Sequence, residues 1–238
     1  MATIVSRPVR ARTDDYFFTG MSLVILGTVF LGFARSYFLA GVIHAPLPSP
    51  IIHIHAVVFS VWILLLVVQT ALVSMGKVGW HRKLGIFGAV LVFLMLVLGV
   101  AVAIDSQKRH FAVPGLDSPT TLAIQFAQLA VFGSLVTWGI RLRRDAPAHK
   151  RLMLLGTIAL MGPAISRWPF AFLHTFPPST GLIFDIFLLS IIAFDLLTRH
   201  RVHRVTIVGS LLIFAMLPAM LALGQSPFWR HFTRWVQQ

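Results

Sequence analysis

The sequence contains no cysteine and no glutamate, and its seven acidic residues are all aspartate. Without cysteine the chain has no disulfide, no thiolate metal ligand and no cysteine nucleophile. It also lacks the H-E-x-x-H zinc motif, the phosphate-binding loop, the G-x-S-x-G nucleophile elbow and the dinucleotide-binding fingerprint. The sequence therefore predicts no catalytic residue, and it leaves open whether the protein is an enzyme.

Charge is also scarce, because 11% of the 238 residues are charged whereas 57% are hydrophobic, and the mean hydropathy is +0.85. A soluble domain cannot bury that much apolar surface, so the composition predicts an integral membrane protein in contact with lipid. The formal charge of +13 lies in short segments between apolar runs, which is typical of membrane flanks. No basic face or motif indicates binding of nucleic acid.

Seven apolar windows are long enough to cross the hydrocarbon core, which takes about 20 helical residues. They predict an all-α fold, a seven-helix membrane bundle in a single transmembrane domain, 1–238. The stretch 226–238 is predicted to form an amphipathic helix along the outer surface. The predicted spans are 16–34, 51–75, 84–104, 119–140, 152–174, 180–198 and 205–224.

The distribution of basic residues predicts the orientation of this bundle. The side with the N-terminus has fourteen: Arg7, Arg10, Arg12, Lys77, Arg82, Lys83, Arg141, Arg143, Arg144, Lys150, Arg151, Arg199, Arg201 and Arg204. The other side has four: Lys108, Arg109, Arg230 and Arg234. Because loops rich in Lys and Arg stay in the cytoplasm, the N-terminus is predicted inside and the C-terminus outside.

A short motif recurs where spans three, five and seven begin. The segments "WHRKLGIFG", "AHKRLMLLG" and "VHRVTIVG" each place a histidine before basic residues and a glycine. The repeat suggests three helix hairpins in one orientation, with the first helix added. The histidines (His81, His149 and His203) are either haem ligands between these helices or interfacial anchors. We prefer anchors, since basic interfacial clusters are common in membrane proteins.

Polar side chains from five spans are predicted to share the outer half of the membrane. Charges there are costly, so Arg167 and Asp185 are expected to face inward and to pair. Asp195 is assigned a local pair with Arg199 instead, four residues later. The predicted cofactor-binding residues are His55, His53, Arg35, Arg167, Asp185, Gln125, Gln128 and Trp62.

The two histidines of the H-x-H pair are predicted to point in different directions. At 100° per residue, His53 lies about 200° from His55 around the helix. His55 shares a stripe with Trp62 and Gln69, at intervals of seven residues. We therefore expect His55 to face the interior of the bundle and His53 to face the interface or a neighbouring helix.

Several motifs together resemble a bacterial family of seven-helix, multi-pass membrane proteins: "GFARSYFLAG", "IIHIHAVVFSVW", "VVQTALV", "HRKLG", "AHKRLMLLG" and "SRWPF". This resemblance implies the bacterial cytoplasmic membrane as location and supplies no function. More loosely, the helix 2 histidine followed by the HR-x-L-G start of helix 3 is similar to transmembrane b-type cytochromes and ferric reductases, which carry paired histidine ligands. That similarity implies His55 as a haem ligand, with His174 or His44 opposite it.

Three functional hypotheses follow from these patterns. The first is a redox protein that holds b-type haem or a quinone, with His55 as ligand or hydrogen-bond partner and with a redox partner protein. The second is an outward-facing binding protein or transporter for a small anionic solute, recognised by Arg35 and Arg167. The third is a structural or assembly subunit of a larger membrane complex.

Overall fold

The computed structural model describes residues 9–42, 44, 49–113, 115–176 and 179–238. Within these ranges the chain forms α-helices and one π-helical segment, with no strand. The helices are α1 (Val9–Phe33, continued by the π-helical segment Ala34–Phe38), α2 (Pro50–Ser74), α3 (Val78–Lys108), α4 (Ser118–Arg141), α5 (Ala146–Ala159), α6 (Gly162–Ile165), α7 (Ala171–Thr175), α8 (Ser179–Arg199), α9 (Arg204–Gln225) and α10 (Pro227–Val236).

Six helices of the described chain are long and apolar enough to cross a membrane, which makes the protein an all-helical, multi-pass membrane protein. They are α1 with its π-helical extension, α2, α3, α4, α8 and α9. Each coincides with one predicted span. The predicted span 152–174 is instead divided into α5, α6 and α7. Pro163 lies in the first turn of α6, where a missing N–H is tolerated, so it starts a new short helix rather than continuing α5.

The divided segment runs beside α1 for most of the length of that helix. At one end Lys150 of α5 forms an ion pair with Asp14 of α1. At the other end Gly32 of α1 packs so closely on Ala164 of α6 that an added Cβ would overlap the Ala164 carbonyl group. Residues 14 and 32 are 18 positions apart, which is about 27 Å along a helix.

The three segments of the repeat have a common packing role. Each ends in a buried glycine, Gly88, Gly156 or Gly209, that receives a side chain from a neighbouring helix. Added Cβ atoms would lie 3.2 Å from Leu65, 2.8 Å from Val136 and 2.8 Å from Leu155, respectively. Of the three predicted hairpins, α2–α3 and α4–α5 are tightly packed. The third, α8–α9, is not, since α9 lies along α4 rather than along α8.

The amphipathic helix α10 packs on α3, α4 and α9. Trp229 is buried, and its Nε1 donates a hydrogen bond of 2.8 Å to the carbonyl oxygen of Pro119 at the start of α4. Arg230 lies 3.3 Å from Asp117, which caps α4. Hydrogen bonds from Thr120 lower the pKa of Asp117, so this carboxylate is charged at neutral pH. The apolar face of α10 thus meets the bundle, while Phe228 and Trp235 remain exposed.

Candidate functional site

The stripe of α2 that begins at His55 faces the interior of the bundle. Its central member, Trp62, is only 3% exposed. The indole Nε1 of Trp62 donates to Thr157 Oγ1 of α5 at 3.2 Å, and the ring meets Phe132 of α4 edge to face at 5.4 Å. Trp62 therefore connects three helices near the middle of the membrane.

The two histidines of the H-x-H pair point in opposite directions, as the helical phase predicts. Nδ1 of His53 lies 3.3 Å from the hydroxyl of Tyr37, in the π-helical segment that follows α1. His55 instead packs on Phe59, with ring centres 4.0 Å apart. Its Nδ1 is enclosed and has no hydrogen-bond partner in the described chain. Because an unpaired buried polar group costs free energy, this nitrogen indicates a place for a ligand or a water.

The contacts of Trp62 with Thr157 and Phe132 show which residues of the three helices lie at the same level of the bundle. Seven residues from the contact on each helix, toward the end of the bundle at which α2 begins, lie His55 on α2, Gln125 on α4 and Ala164 on α6, about 10 Å along a helix axis. Gln125 turns toward α3 and lies 3.3 Å from Ser106 Oγ. The amide of Gln128 packs on the junction of α5 and α6, since a Cβ added at Gly162 would lie 3.0 Å from its Nε2.

Arg167 lies in the irregular segment between α6 and α7, three residues after Ala164. Its side chain is exposed, donates to the carbonyl oxygen of Pro163 at 2.7 Å and sits 5.2 Å from the ring centre of Phe33. Asp185 is half-buried on α8, and no ion pair joins these two described residues. The prediction that Arg167 faces inward and pairs with Asp185 is wrong, because the break in the helix turns Arg167 away from the interior.

The remaining predicted ligands do not converge on His55 in the described chain. Arg35 is exposed on the π-helical segment, and His44 is exposed with a backbone φ of 55°. His174 belongs to α7, but its side chain lies outside what the structure describes. The described residues contain no group of three or more His or Asp side chains suited to a metal ion.

A buried ionic network at the opposite end of the bundle, where α5 begins and α8 ends, was missed by sequence reasoning. Arg151 of α5 and Asp195 of α8 are both 0% exposed and form an ion pair, with Arg151 Nε donating at 3.0 and 3.2 Å to the carboxylate oxygens. Asp195 also accepts from Thr206 Oγ1 at 2.7 Å and from the backbone N–H of His203 at 3.0 Å. The predicted pairing of Asp195 with Arg199 is therefore wrong, and Arg199 lies 3.7 Å from Asp14 instead.

His203 has a structural role in this network. It caps α9, where its Nδ1 accepts a hydrogen bond of 3.3 Å from the N–H of Val205. Burial, together with the positive charges of Arg151 and Arg199, lowers the pKa of His203. The ring is therefore neutral at neutral pH, as its acceptor role requires.

Two depressions in the surface lie away from the predicted site. One, of about 350 Å³, is lined by Ile104, Lys108, Phe232 and Trp235 between α3 and α10. The other, of about 450 Å³, is lined by Leu96, Leu129, Gly133 and Arg141 between α3 and α4. None of the predicted cofactor-binding residues lines either of them.

No family model, curated protein or solved structure matches this chain.

Proposed function

We propose that the protein binds a lipid-soluble quinone in the outer half of the membrane and takes part in electron transfer. In this proposal the imidazole of His55 donates a hydrogen bond to one carbonyl oxygen of the quinone ring. The observation that carries the proposal is the enclosed Nδ1 of His55, which has no partner in the described chain. A neutral imidazole has one N–H donor and one acceptor nitrogen, which suits a carbonyl ligand that exchanges protons when it is reduced.

The surroundings of His55 support an apolar, ring-shaped ligand. The Phe59 ring packs against the imidazole at an angle of 32°, and Trp62, seven residues further along α2, is buried. The chain breaks at Pro163 at the same depth, and irregular backbone inside a membrane is tolerated only where it is buried or lines a cavity. The following segment exposes Phe170 and Phe172, an apolar surface along which a ligand dissolved in lipid can approach.

The other hypotheses have less support in the contacts. An anion site built on Arg35 and Arg167 requires these groups inside the bundle, whereas both side chains are exposed. A haem on His55 requires a second axial ligand, and His44, one of the two residues predicted for that role, is exposed. Quinone binding requires only the one enclosed donor that His55 provides.

The decisive experiment is to extract the purified protein with organic solvent and to identify quinones by chromatography and mass spectrometry. We expect about one quinone per chain, and at least roughly tenfold less in His55→Gln, since one buried hydrogen bond and its packing are worth more than about 1.4 kcal/mol. His231→Gln, at an exposed histidine on α10, is the matched control and is expected to keep its quinone.

Absence of quinone from the extract, or equal amounts in both variants, would refute this function. A Soret band in the spectrum of the purified protein that disappears in His55→Gln would also overturn it, in favour of haem.

We also propose that the chain crosses the bacterial cytoplasmic membrane seven times, with its N-terminus in the cytoplasm and its C-terminus outside. The charge asymmetry supports this orientation. The seventh crossing is the divided segment, which accompanies α1 from Asp14 to Gly32.

Reporter fusions test this topology. Alkaline phosphatase is active only outside the cytoplasm, so a fusion after residue 238 is expected to be active. The same reporter in the loop at Lys77 is expected to be inactive, and a green fluorescent protein is expected to show the reverse pattern. A fluorescent C-terminal fusion would mean an even number of crossings.

A further inference from the structure

Two histidines of the repeat approach each other at the cytoplasmic end of the bundle. His81 begins α3 and His149 begins α5. Their ring centres are 6.2 Å apart, with the ring planes at 83°. This pair is far from the proposed quinone site, because Gln69 beside it lies 14 residues, about 21 Å, along α2 from His55.

The hydrogen bonding of His149 fixes which of its nitrogens can bind a ligand. Nδ1 lies 2.8 Å from the carbonyl oxygen of Gly139 at the end of α4. A carbonyl oxygen can only accept, so Nδ1 carries the proton and Nε2 has the free lone pair. Histidines that bind metals usually donate their other N–H to a carbonyl or carboxylate in this way.

The two neighbouring polar groups have enclosed atoms without partners. Nδ1 of His81 and Oε1 of Gln69 are both buried and form no hydrogen bond in the described chain. The amide of Gln69 lies against α3 one turn beyond His81, since a Cβ added at Gly85 would be 3.8 Å from its Nε2. Nδ1 of His81, Oε1 of Gln69 and the free Nε2 of His149 thus belong to one region between α2, α3 and α5.

We propose that His81 and His149 bind one transition-metal ion through their imidazoles, with the amide oxygen of Gln69 as a third ligand. Two imidazoles that bind one metal at about 2.0–2.1 Å per nitrogen have ring centres roughly 4.5 to 6.5 Å apart, depending on the angle at the metal. The separation of 6.2 Å lies within that range. The separation of the two rings is therefore compatible with one shared metal ion.

The types of ligand determine which metal ions the site favours. Imidazole ligands favour zinc, copper, nickel and iron over calcium and magnesium, which prefer several carboxylates. His203, the third histidine of the repeat, is already used to cap α9. The metal is therefore a transition-metal ion held by the protein's own side chains, with two imidazole nitrogens and one amide oxygen.

Metal titration of the full-length protein in detergent, after treatment with a chelator, tests this site. Cu²⁺ is the probe, and one equivalent is expected to bind. Electron paramagnetic resonance of the copper form is expected to show two nitrogen ligands. Haemin is added in a separate experiment, and the Soret band of a bis-imidazole complex would overturn the three-ligand site, because such an iron has no position for Gln69.

Variants connect the signal to the two histidines. His81→Gln and His149→Gln are each expected to weaken binding by roughly tenfold or more. The control is His200→Asn, an exposed histidine at the same end whose φ of 54° asparagine accepts. Failure to bind one equivalent of Cu²⁺, or equal binding in all three variants, would overturn the proposal. If His55→Gln loses its quinone but still binds the metal, the metal site and the proposed quinone site are independent of each other.

Discussion

Replacing Arg151 by methionine is expected to lower the free energy of unfolding by about 3–5 kcal/mol, because removal of one partner leaves a buried charge uncompensated. The charge left behind is that of Asp195, which is fully buried and keeps only Thr206 and the His203 N–H as donors. The measurement is equilibrium unfolding by SDS in mixed micelles, followed through the fluorescence of the six tryptophans.

Two further variants make the result specific for Arg151. Arg144→Met removes an exposed arginine from the loop just before α5 and is expected to change stability by less than about 0.5 kcal/mol. The double variant Arg151→Met with Asp195→Leu removes both charges and is expected to regain much of the loss, since apolar replacement of a buried pair is often tolerated. If Arg151→Met is no less stable than Arg144→Met, the ion pair does not stabilise the bundle.

Gly32→Ala is expected to destabilise the protein by about 1–3 kcal/mol, the usual cost of overpacking. A single methyl group at this position would overlap the backbone carbonyl of Ala164, which cannot rotate away as a side chain can. To accept it, α1 and α6 must separate, and the hydrogen bond of 3.2 Å from Trp168 Nε1 to the Thr28 carbonyl must lengthen.

The matched control is Gly27→Ala in the same helix. A Cβ added there meets nothing within 4 Å, and alanine is favoured over glycine in a helix by up to about 1 kcal/mol. This variant is therefore expected to be as stable as the parent or more so. Equal thermal unfolding temperatures for the two alanine variants would show that the contact between α1 and α6 is not tight.

The parts of the fold that depend on local pattern could be predicted from the sequence. Apolar runs of sufficient length identified six helices, because each run is about as long as the bilayer requires or longer. The opposite directions of His53 and His55 follow from helical geometry alone, and so does the burial of Trp62. These features need no knowledge of which helices are neighbours.

The parts that depend on tertiary contacts were not predicted. Arg151 was counted with the cytoplasmic basic loop and Asp195 was given a local partner, although the two lie at the same depth on different helices. An aspartate inside an apolar run was the available signal, since a lone carboxylate there requires a partner. Arg167 was expected inside because a continuous helix was assumed, whereas Pro163 starts a new segment and changes the direction of the chain.

The buried ion pair also imposes an order on biosynthesis. Arg151 and Asp195 are 44 residues apart, so the arginine leaves the ribosome well before its counter-ion exists. A buried charge without its counter-ion is costly, and α5 is not among the helices that are long and apolar enough to cross a membrane. The packing of α5 is therefore completed only after the helix that carries Asp195 has been synthesised.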